Sequence, residues 1–327
     1  MNLAALRNTR SFELAAGGHV NPLWVVPAAT TPSTSPSIVL FHGDISARAD
    51  EMMADAFLQR WRKYSTERLA AGLSARFPRC NAVVVGPSKR IDAFSCYETF
   101  LRCTETGDPI AGYDSDGQAC QHLATLLRSA SSELGLSGDG LLGGPLHLVG
   151  FSKGCAPLNQ CVAEMGSDGA APLRARLESL VWLDPGLSTE GPVLITDESL
   201  LRGGLGWVAR QRALRSPRAS TAAPLRLALA FTPRQYDDAD EPWVRTQADE
   251  FGAIVERLGL PVQNEWLFFD EPPSLEAHFR CVEGCRCLDG TSATEGGAAM
   301  AEAEAEAEDA RPGWWWSGLF VWLKTWI

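Results

Sequence analysis

A serine follows directly on a short apolar strand at residues 146–154, Leu-His-Leu-Val-Gly-Phe-Ser-Lys-Gly. The leucines and valine of this run suit a buried parallel strand, and Gly150 and Gly154 flank Ser152 two residues away on either side. A serine at the tip of a sharp strand-to-helix turn has a strained backbone, and the strand and helix can approach each other only where side chains are missing. The segment therefore predicts a nucleophile elbow with Ser152 as the candidate nucleophile.

The residues around this turn also predict where an oxyanion would be bound. A helix is expected from Lys153 to Glu164, with Pro157 near its first turn, so the N–H of Lys153 is the first candidate donor. The loop after the β-branched strand at 37–41 is the usual source of a second donor, and the candidates there are the N–H groups of Gly43 and Asp44.

Alternation of strands and helices predicts the fold class. Strands are expected at 11–16, 21–26, 37–41, 81–85, 146–149, 180–183, 225–231 and 262–269, and helices at about 65–77, 117–134, 153–164 and 241–258. This order favours an α/β protein of the α/β-hydrolase fold, with a mainly parallel sheet, helices on both faces and a lid-like insertion. With 45% hydrophobic residues, the chain can bury a sizeable core.

Three regions are predicted along the chain. Residues 1–36 form an N-terminal hairpin and connector, residues 37–287 form the hydrolase core with an insertion at about 186–224, and residues 288–327 form a low-complexity acidic linker with a Trp-rich tail.

A hydrolytic serine needs a histidine to take its proton and a carboxylate to orient that histidine. His278 follows the last strand and is the candidate base, although a surface helix position is the plain alternative. The acid is left open between Asp238, after the strand that ends at Phe231, and Asp184, at the end of the preceding strand, with a slight preference for Asp238. Asp237 and Asp240 are further candidates.

Net charge limits the partners. The formal charge of −11 includes seven acidic and two basic residues in 288–327, so the body is also acidic and a nucleic-acid partner is not expected. The insertion contains five arginines with no acid between them, which would suit a positive lid over an anionic acyl substrate or simply a solvated helix face: Arg202, Arg210, Arg212, Arg215 and Arg218.

Nine cysteines without paired spacing indicate a reducing compartment, and there is no long apolar N-terminal run of a secretory signal. Cys281, Cys285 and Cys287 could be combined with His278 as a metal site. Because no Cys-x-x-Cys pair is present, we predict no metal and no cofactor.

Several motifs together resemble one known family. They are Gly43-Asp44, Phe94 to Tyr97 with Phe100, Gly150 to Cys155 with Leu158 to Gln160, Trp182 to Asp184, Thr232-Pro233 with Gln235 and Asp238, and Pro273-Ser274 with Glu276, His278 and Phe279. Across residues 37–283 the chain resembles the eukaryotic α/β-hydrolase-like mitochondrial proteins whose human member is named only for a chromosome-2 open reading frame. The chain departs from that pattern at His42 and Pro157.

The resemblance implies an α/β-hydrolase fold, a serine-hydrolase-like site at Ser152, His278 and Asp238 or Asp184, and a mitochondrial role. It supplies no substrate. We therefore expect a serine hydrolase of the esterase, lipase or thioesterase type, which forms an acyl-enzyme at Ser152 with a small-molecule or lipid-like acyl substrate. A catalytically inactive scaffold or binding protein is the alternative. The intact serine, aspartate and histidine favour the hydrolase, whereas the charged side chain of Lys153, expected at the mouth of the site, keeps the alternative open.

The C-terminal tail lies outside this resemblance. An Ala-Glu repeat at 301–308 leads to a Trp-rich segment at 314–327. As a helix these residues would span about 21 Å, less than the ~30 Å of a bilayer core. Tryptophan favours the membrane interface, so peripheral membrane contact is one expectation, beside docking on the protein's own surface or an error in gene prediction.

Overall fold

The computed structural model describes residues 3–16, 19–215 and 224–292. Contacts divide the chain into two units, Met1–Ser292 and Ala293–Ile327, and only the first contains described residues. The predictions for the Ala-Glu repeat, the Trp-rich segment and Arg218 therefore fall outside the described residues. No helix within the described ranges is long and apolar enough to span a membrane.

Ten strands and eleven α-helices are found in the described ranges. The strands are β1 (Arg10–Ala16), β2 (His19–Val26), β3 (Ser37–Phe41), β4 (Asn81–Val85), β5 (Lys89–Ile91), β6 (Phe94–Cys96), β7 (Leu146–Phe151), β8 (Leu177–Leu183), β9 (Arg226–Phe231) and β10 (Val262–Trp266). The helices are α1 (Leu3–Asn8), α2 (Ala49–Ala54), α3 (Thr66–Arg76), α4 (Ala119–Glu133), α5 (Cys155–Ala163), α6 (Ala171–Arg174), α7 (Glu198–Gly203), α8 (Leu205–Arg215), α9 (Pro233–Tyr236), α10 (Pro242–Arg257) and α11 (Leu275–Gly284).

Eight of these strands form one sheet in the order β1-β2-β4-β3-β7-β8-β9-β10. The first two pairings, β1 with β2 and β2 with β4, are antiparallel, and all later neighbours are parallel. Strands β5 and β6 form a separate small hairpin. This strand order, with helices on both sides, is the α/β-hydrolase fold, as expected from the sequence. The carboxyl ends of the parallel strands lie at one edge of the sheet, where loops bring functional groups together.

Helices cover both faces of the sheet because its central strands are apolar on both sides. In β3, Val39 and Phe41 pack into the core cluster that also contains α4 and α5, whereas Ile38 and Leu40 pack into the cluster that contains α3. Alternate residues of a strand point to opposite faces, so one fully buried strand serves two cores. Burial of this kind fixes β3, β4 and β7 at the centre of the molecule.

Most element boundaries agree with the sequence predictions. The strands at 37–41 and 81–85 match residue for residue, and the helices at about 65–77, 117–134 and 241–258 each differ by a few residues at the ends. The last strand is shorter than expected and ends at Trp266 rather than at 269. Phe268 has φ of 60°, which breaks the extended backbone there.

Candidate functional site

Ser152 lies at a sharp turn between β7 and α5. Its φ is 54°, a left-handed conformation that costs energy for a residue with a Cβ atom. A Cβ atom on Gly150 would come within 2.7 Å of Cys155 Cα, and one on Gly154 would come within 2.8 Å of the His42 carbonyl oxygen. Both glycines are therefore required by backbone packing, and the turn has the form of a nucleophile elbow.

Gly43 lies directly against Ser152. A Cβ atom on Gly43 would lie 2.5 Å from Ser152 Cβ and 2.9 Å from its Oγ. Within the described residues, the N–H groups of Gly43 and Asp44 have no hydrogen-bond acceptor. Two N–H groups without an internal partner, on a glycine loop beside the serine, are suited to bind an oxyanion.

His42 and Tyr97 hold this loop from behind. The Tyr97 hydroxyl donates to the His42 carbonyl at 2.7 Å, and His42 Nδ1 lies 2.8 Å from the Gly43 carbonyl oxygen. Burial lowers the pKa of His42 to about 3, an effect that the Gly43 carbonyl partly offsets. His42 is therefore a neutral, structural histidine near pH 7. It is one of the two positions at which the chain departs from the pattern of the family that it resembles.

His278 is paired with Asp184. His278 Nδ1 lies 2.7 Å from Asp184 Oδ2, and the two side chains are 5% and 0% exposed. Because a carboxylate only accepts, Nδ1 carries the proton, which leaves Nε2 as the nitrogen that can exchange a proton with a nucleophile. Asp184 also accepts from the Thr232 N–H at 2.7 Å and the Thr232 hydroxyl at 2.5 Å, so its orientation is fixed on both oxygens.

Asp238 lies elsewhere. Its carboxylate accepts from the Asp240 N–H at 2.9 Å, within its own turn, and neighbouring Asp237 pairs with Arg245. The slight preference for Asp238 is thus corrected to Asp184, the alternative acid. The physical reason is Pro233, which begins the short helix α9 after β9 and moves Asp238 off the strand end, whereas Asp184 follows β8 without any intervening loop.

Phe151 brings the elbow and the histidine together. Its ring centroid lies 4.7 Å from that of His278, and Ser152 is the next residue along the chain. No hydrogen bond joins the Ser152 hydroxyl to His278 among the residues that the structure describes. Catalytic hydrogen bonds are often long without substrate and tighten in the complex.

Lys153 is buried, with 1% of its side chain exposed. Its ammonium lies 2.9 Å from Asp44 Oδ2, 3.3 Å from Asp108 Oδ1 and 2.5 Å from Ser188 Oγ, and it also contacts the Thr106 carbonyl. Burial raises the pKa of Asp44, and the Lys153 ammonium partly offsets this rise. The expectation of a charged lysine at the site mouth is therefore wrong, because the side chain is buried and is paired with the carboxylates of Asp44 and Asp108.

Two arginines of the insertion after β8, Arg202 and Arg212, are paired with acids rather than left to form a positive lid. Arg202 pairs with Glu198, and Arg212 pairs with Glu178 and contacts the Leu177 carbonyl. Leu177 begins β8, so this part of α8 lies at the amino end of the strand, opposite the edge that holds Ser152. Near the elbow, the insertion contributes Ser188, whose hydroxyl accepts from the Lys153 ammonium, and Thr189, whose hydroxyl donates to Asp108.

The cysteine cluster is organised around Glu265. Ligand atoms of Glu265, Cys285 and Cys287 lie within 4.8 Å of one another, which is close enough for a metal ion. However, one carboxylate oxygen, Oε2, already accepts from both thiols at 3.3 and 3.0 Å and from the N–H groups of Arg286 and Cys287 at 2.9 and 3.1 Å. We interpret the cluster as a hydrogen-bonded anchor for the end of α11. His278 is bound to Asp184 and does not join it.

Sequence reasoning missed three residues of this site. Thr232 fixes Asp184, Ser95 fixes the Gly43–Asp44 loop, and Asp108 holds Lys153. The resemblance includes Ser95 and Thr232, but only as parts of motifs. The available signal for Asp108 is its Gly-Asp-Pro turn, which does not by itself indicate a buried carboxylate.

One known family matches most of this chain. A family model described as C2orf69 matches residues 18–141 and 138–261. The zebrafish (Danio rerio) protein named mitochondrial protein C2orf69 homolog is 32% identical over 263 residues, which are 75% of this chain and 72% of that protein. The human mitochondrial protein C2orf69 is 25% identical over 312 residues, covering 79% and 76% of the two chains.

Among solved structures, a thermostable esterase aligns with a TM-score of 0.48 at 10% identity, over 88% of this chain and 63% of its own. That overlap says nothing about activity, and the fold rests on the strand order described above. The family match covers more than half of the chain and includes the elbow, the Gly43 loop and Asp184. The chain belongs to the C2orf69 family.

Proposed function

We propose that this protein is a serine hydrolase that cleaves an ester or thioester through an acyl-enzyme at Ser152. The observation that carries the proposal is the buried Asp184–His278 pair at 2.7 Å, next to a serine with a φ of 54°. A surface histidine has no need of a fully buried carboxylate on Nδ1. The arrangement leaves Nε2 as the available base beside the elbow.

In the proposed reaction, His278 Nε2 takes the Ser152 hydroxyl proton as Oγ attacks the acyl carbonyl carbon. The carbonyl oxygen becomes an oxyanion, which the N–H groups of Lys153 and of Gly43 or Asp44 bind. His278 then gives its proton to the leaving alcohol or thiol, and the acyl group stays on Ser152. Water, activated by the same histidine, releases the acid. Each oxyanion donor of this kind is worth about 3 kcal/mol, or roughly a hundredfold in rate or more.

A fluorophosphonate probe tests the proposal directly. We expect the native protein to be labelled on Ser152, Ser152→Ala to be unlabelled, and His278→Ala to be labelled far more slowly. Lack of labelling in a folded native protein, or labelling that persists in Ser152→Ala, would favour the scaffold alternative instead. The missing hydrogen bond between Ser152 and His278 is the observation on which that alternative rests.

We also propose that the protein works in mitochondria, since the zebrafish, mouse and human relatives are all named mitochondrial proteins. Protease protection of the protein in isolated mitochondria tests this location. Digestion of the protein without loss of outer-membrane integrity would contradict a location inside the organelle.

A further inference from the structure

The ammonium of Lys153 has no role in the proposed reaction, yet it is one of the most completely buried charges in the described chain. We propose that Lys153 is a positioning residue, whose side chain holds the Gly43–Asp44 loop in the conformation that binds the oxyanion. This inference rests on the proposed serine hydrolase function and names a residue that controls it.

The connection runs from Lys153 through Asp44 and Ser95 to the Gly43 carbonyl. Lys153 Nζ lies 2.9 Å from Asp44 Oδ2, and the other carboxylate oxygen accepts from the Ser95 N–H at 2.7 Å. The Ser95 hydroxyl donates to the Gly43 carbonyl at 3.0 Å. The Gly43 carbonyl and the Asp44 carboxylate are therefore both hydrogen-bonded to Ser95, and Lys153 holds that carboxylate in place.

A fixed carbonyl also fixes an N–H group. The Gly43 carbonyl and the Asp44 N–H belong to one planar trans peptide, in which they point in opposite directions. Because Ser95 holds the carbonyl, the Asp44 N–H is turned away from Ser95 and stays without an acceptor in the described residues. Rotation of this peptide would move the Asp44 N–H out of the orientation in which it can donate to an oxyanion. The Lys153–Asp44 pair opposes that rotation.

Lys153 has a second anchor that explains why its own position is rigid. Asp108 Oδ1, which lies 3.3 Å from the ammonium, also accepts from the Ser188 N–H at 2.9 Å. Asp108 Oδ2 accepts from the hydroxyls of Thr106 and Thr189. In the described chain, Lys153 is the only cation within ion-pair distance of either Asp44 or Asp108. One side chain thus joins the oxyanion loop to the two loops that contain Asp108 and Ser188.

The same residue therefore supplies both halves of the proposed oxyanion site. Its N–H follows Ser152 directly, and its side chain sets the loop that carries the second donor. A displacement of about 1 Å in a catalytic group can cost on the order of a hundredfold in rate. We expect loss of the Lys153–Asp44 pair to have an effect of this size on the reactivity of Ser152.

A double-mutant cycle tests the inference, with Lys153→Met, Asp44→Asn and the double variant in the full chain. The readouts are the rate constant for fluorophosphonate labelling of Ser152 and hydrogen exchange of residues 42–48. Arg176→Met is the control, because Arg176 forms an exposed pair with Asp139 and directly precedes β8, at the amino end of the strands and so opposite the edge that holds Ser152. We expect each single variant to be labelled about a hundredfold more slowly, the double variant to be no slower than the slower single, and the control to match the native protein.

Labelling within threefold of native in a folded Lys153→Met protein would overturn the inference, as would single effects that multiply in the double variant. If Lys153→Met does not fold, Asp44→Asn decides alone, because Lys153 keeps Asp108 as its partner there. Unchanged labelling and unchanged exchange of 42–48 in that variant would also overturn it. If the native protein is not labelled at all, the proposed function fails, and faster exchange of 42–48 in the variants then supports the anchor, whereas unchanged exchange rejects it.

Discussion

Replacement of Asp184 by asparagine is the sharpest test of the proposed proton transfer. Asp184 accepts three hydrogen bonds, from the Thr232 N–H, the Thr232 hydroxyl and His278 Nδ1. An asparagine of the same shape has only one oxygen, so one of the two carboxylate positions becomes an NH₂ group that must donate. The outcome depends on which position that is.

The Thr232 N–H decides which of the two positions becomes the NH₂ group, because a backbone N–H can only donate. The asparagine oxygen must therefore take the Oδ1 position, 2.7 Å from Thr232 N, and the NH₂ group must take the Oδ2 position beside His278. The Thr232 hydroxyl can rotate to accept, and His278 can accept on Nδ1 if its proton moves to Nε2. The histidine is then held in the tautomer that cannot take the Ser152 proton.

A wrong tautomer of this kind lowers turnover by about 10⁴-fold, equivalent to ~5.4 kcal/mol of transition-state stabilisation. Stability should change far less, since every buried polar atom keeps a partner. We would measure the fluorophosphonate labelling rate and the thermal unfolding of Asp184→Asn, with Asp238→Asn as the matched control. Labelling of folded Asp184→Asn within tenfold of native, or an equal loss in Asp238→Asn, would refute the assignment of Asp184.

Three further predictions follow from the packing and the buried groups. Gly43→Ala places a methyl 2.5 Å from Ser152 Cβ, so labelling should fall about a hundredfold or more, whereas Gly72→Ala in α3, which has open space around it, should leave labelling unchanged; equal effects of the two would be inconsistent with the close approach. Burial lowers the pKa of His147 to about 4, below its unfolded value of about 6.5, so its contribution to stability is present above pH 6.5 and is lost towards pH 4. Between pH 6.5 and pH 4, the free energy of unfolding in urea should fall by about 3 kcal/mol less for His147→Gln than for the native protein. If the difference in unfolding free energy between the two proteins does not change with pH, this would argue against a buried neutral imidazole. Because Glu265 Oε2 already accepts four hydrogen bonds, treatment with a zinc chelator should leave the unfolding temperature unchanged, and a decrease of several degrees would show that the cluster with Cys285 and Cys287 holds a metal.

Local patterns predicted the scaffold and part of the site. The strand at 37–41 and the elbow at Ser152 are encoded within a few residues, by buried apolar runs and by glycines whose absence of a Cβ is a steric requirement. His278 could be chosen from five histidines through its place in the chain order. None of these inferences needs knowledge of which distant residues meet.

The acid and the lysine partners depend on contacts between distant segments, and here local patterns were insufficient. Asp184 and His278 are separated by 94 positions, and Asp184 and Asp238 both follow parallel strands of the same sheet. Only the length of the connection distinguishes them, since Asp184 comes directly after β8 whereas α9 separates Asp238 from β9. The same holds for the insertion, because its charge was apparent in the sequence but the contacts of Arg212 with β8, which argue against a positive lid, were not.

Lys153 no longer supports the scaffold alternative once its surroundings are considered. A cation at the mouth of the site would obstruct an apolar acyl group, but a cation inside the protein requires compensation. Removal of one member of a buried pair typically costs 3–5 kcal/mol, and Lys153 has two carboxylates and two further oxygen atoms in contact. The chain holds this costly arrangement between the residue after Ser152 and the Gly43–Asp44 loop, which carries the proposed second oxyanion donor. Stability alone would be served as well by an apolar side chain packed beside uncharged loops. The position of the charge is therefore better explained by a requirement for geometry at Ser152 than by a requirement for folding.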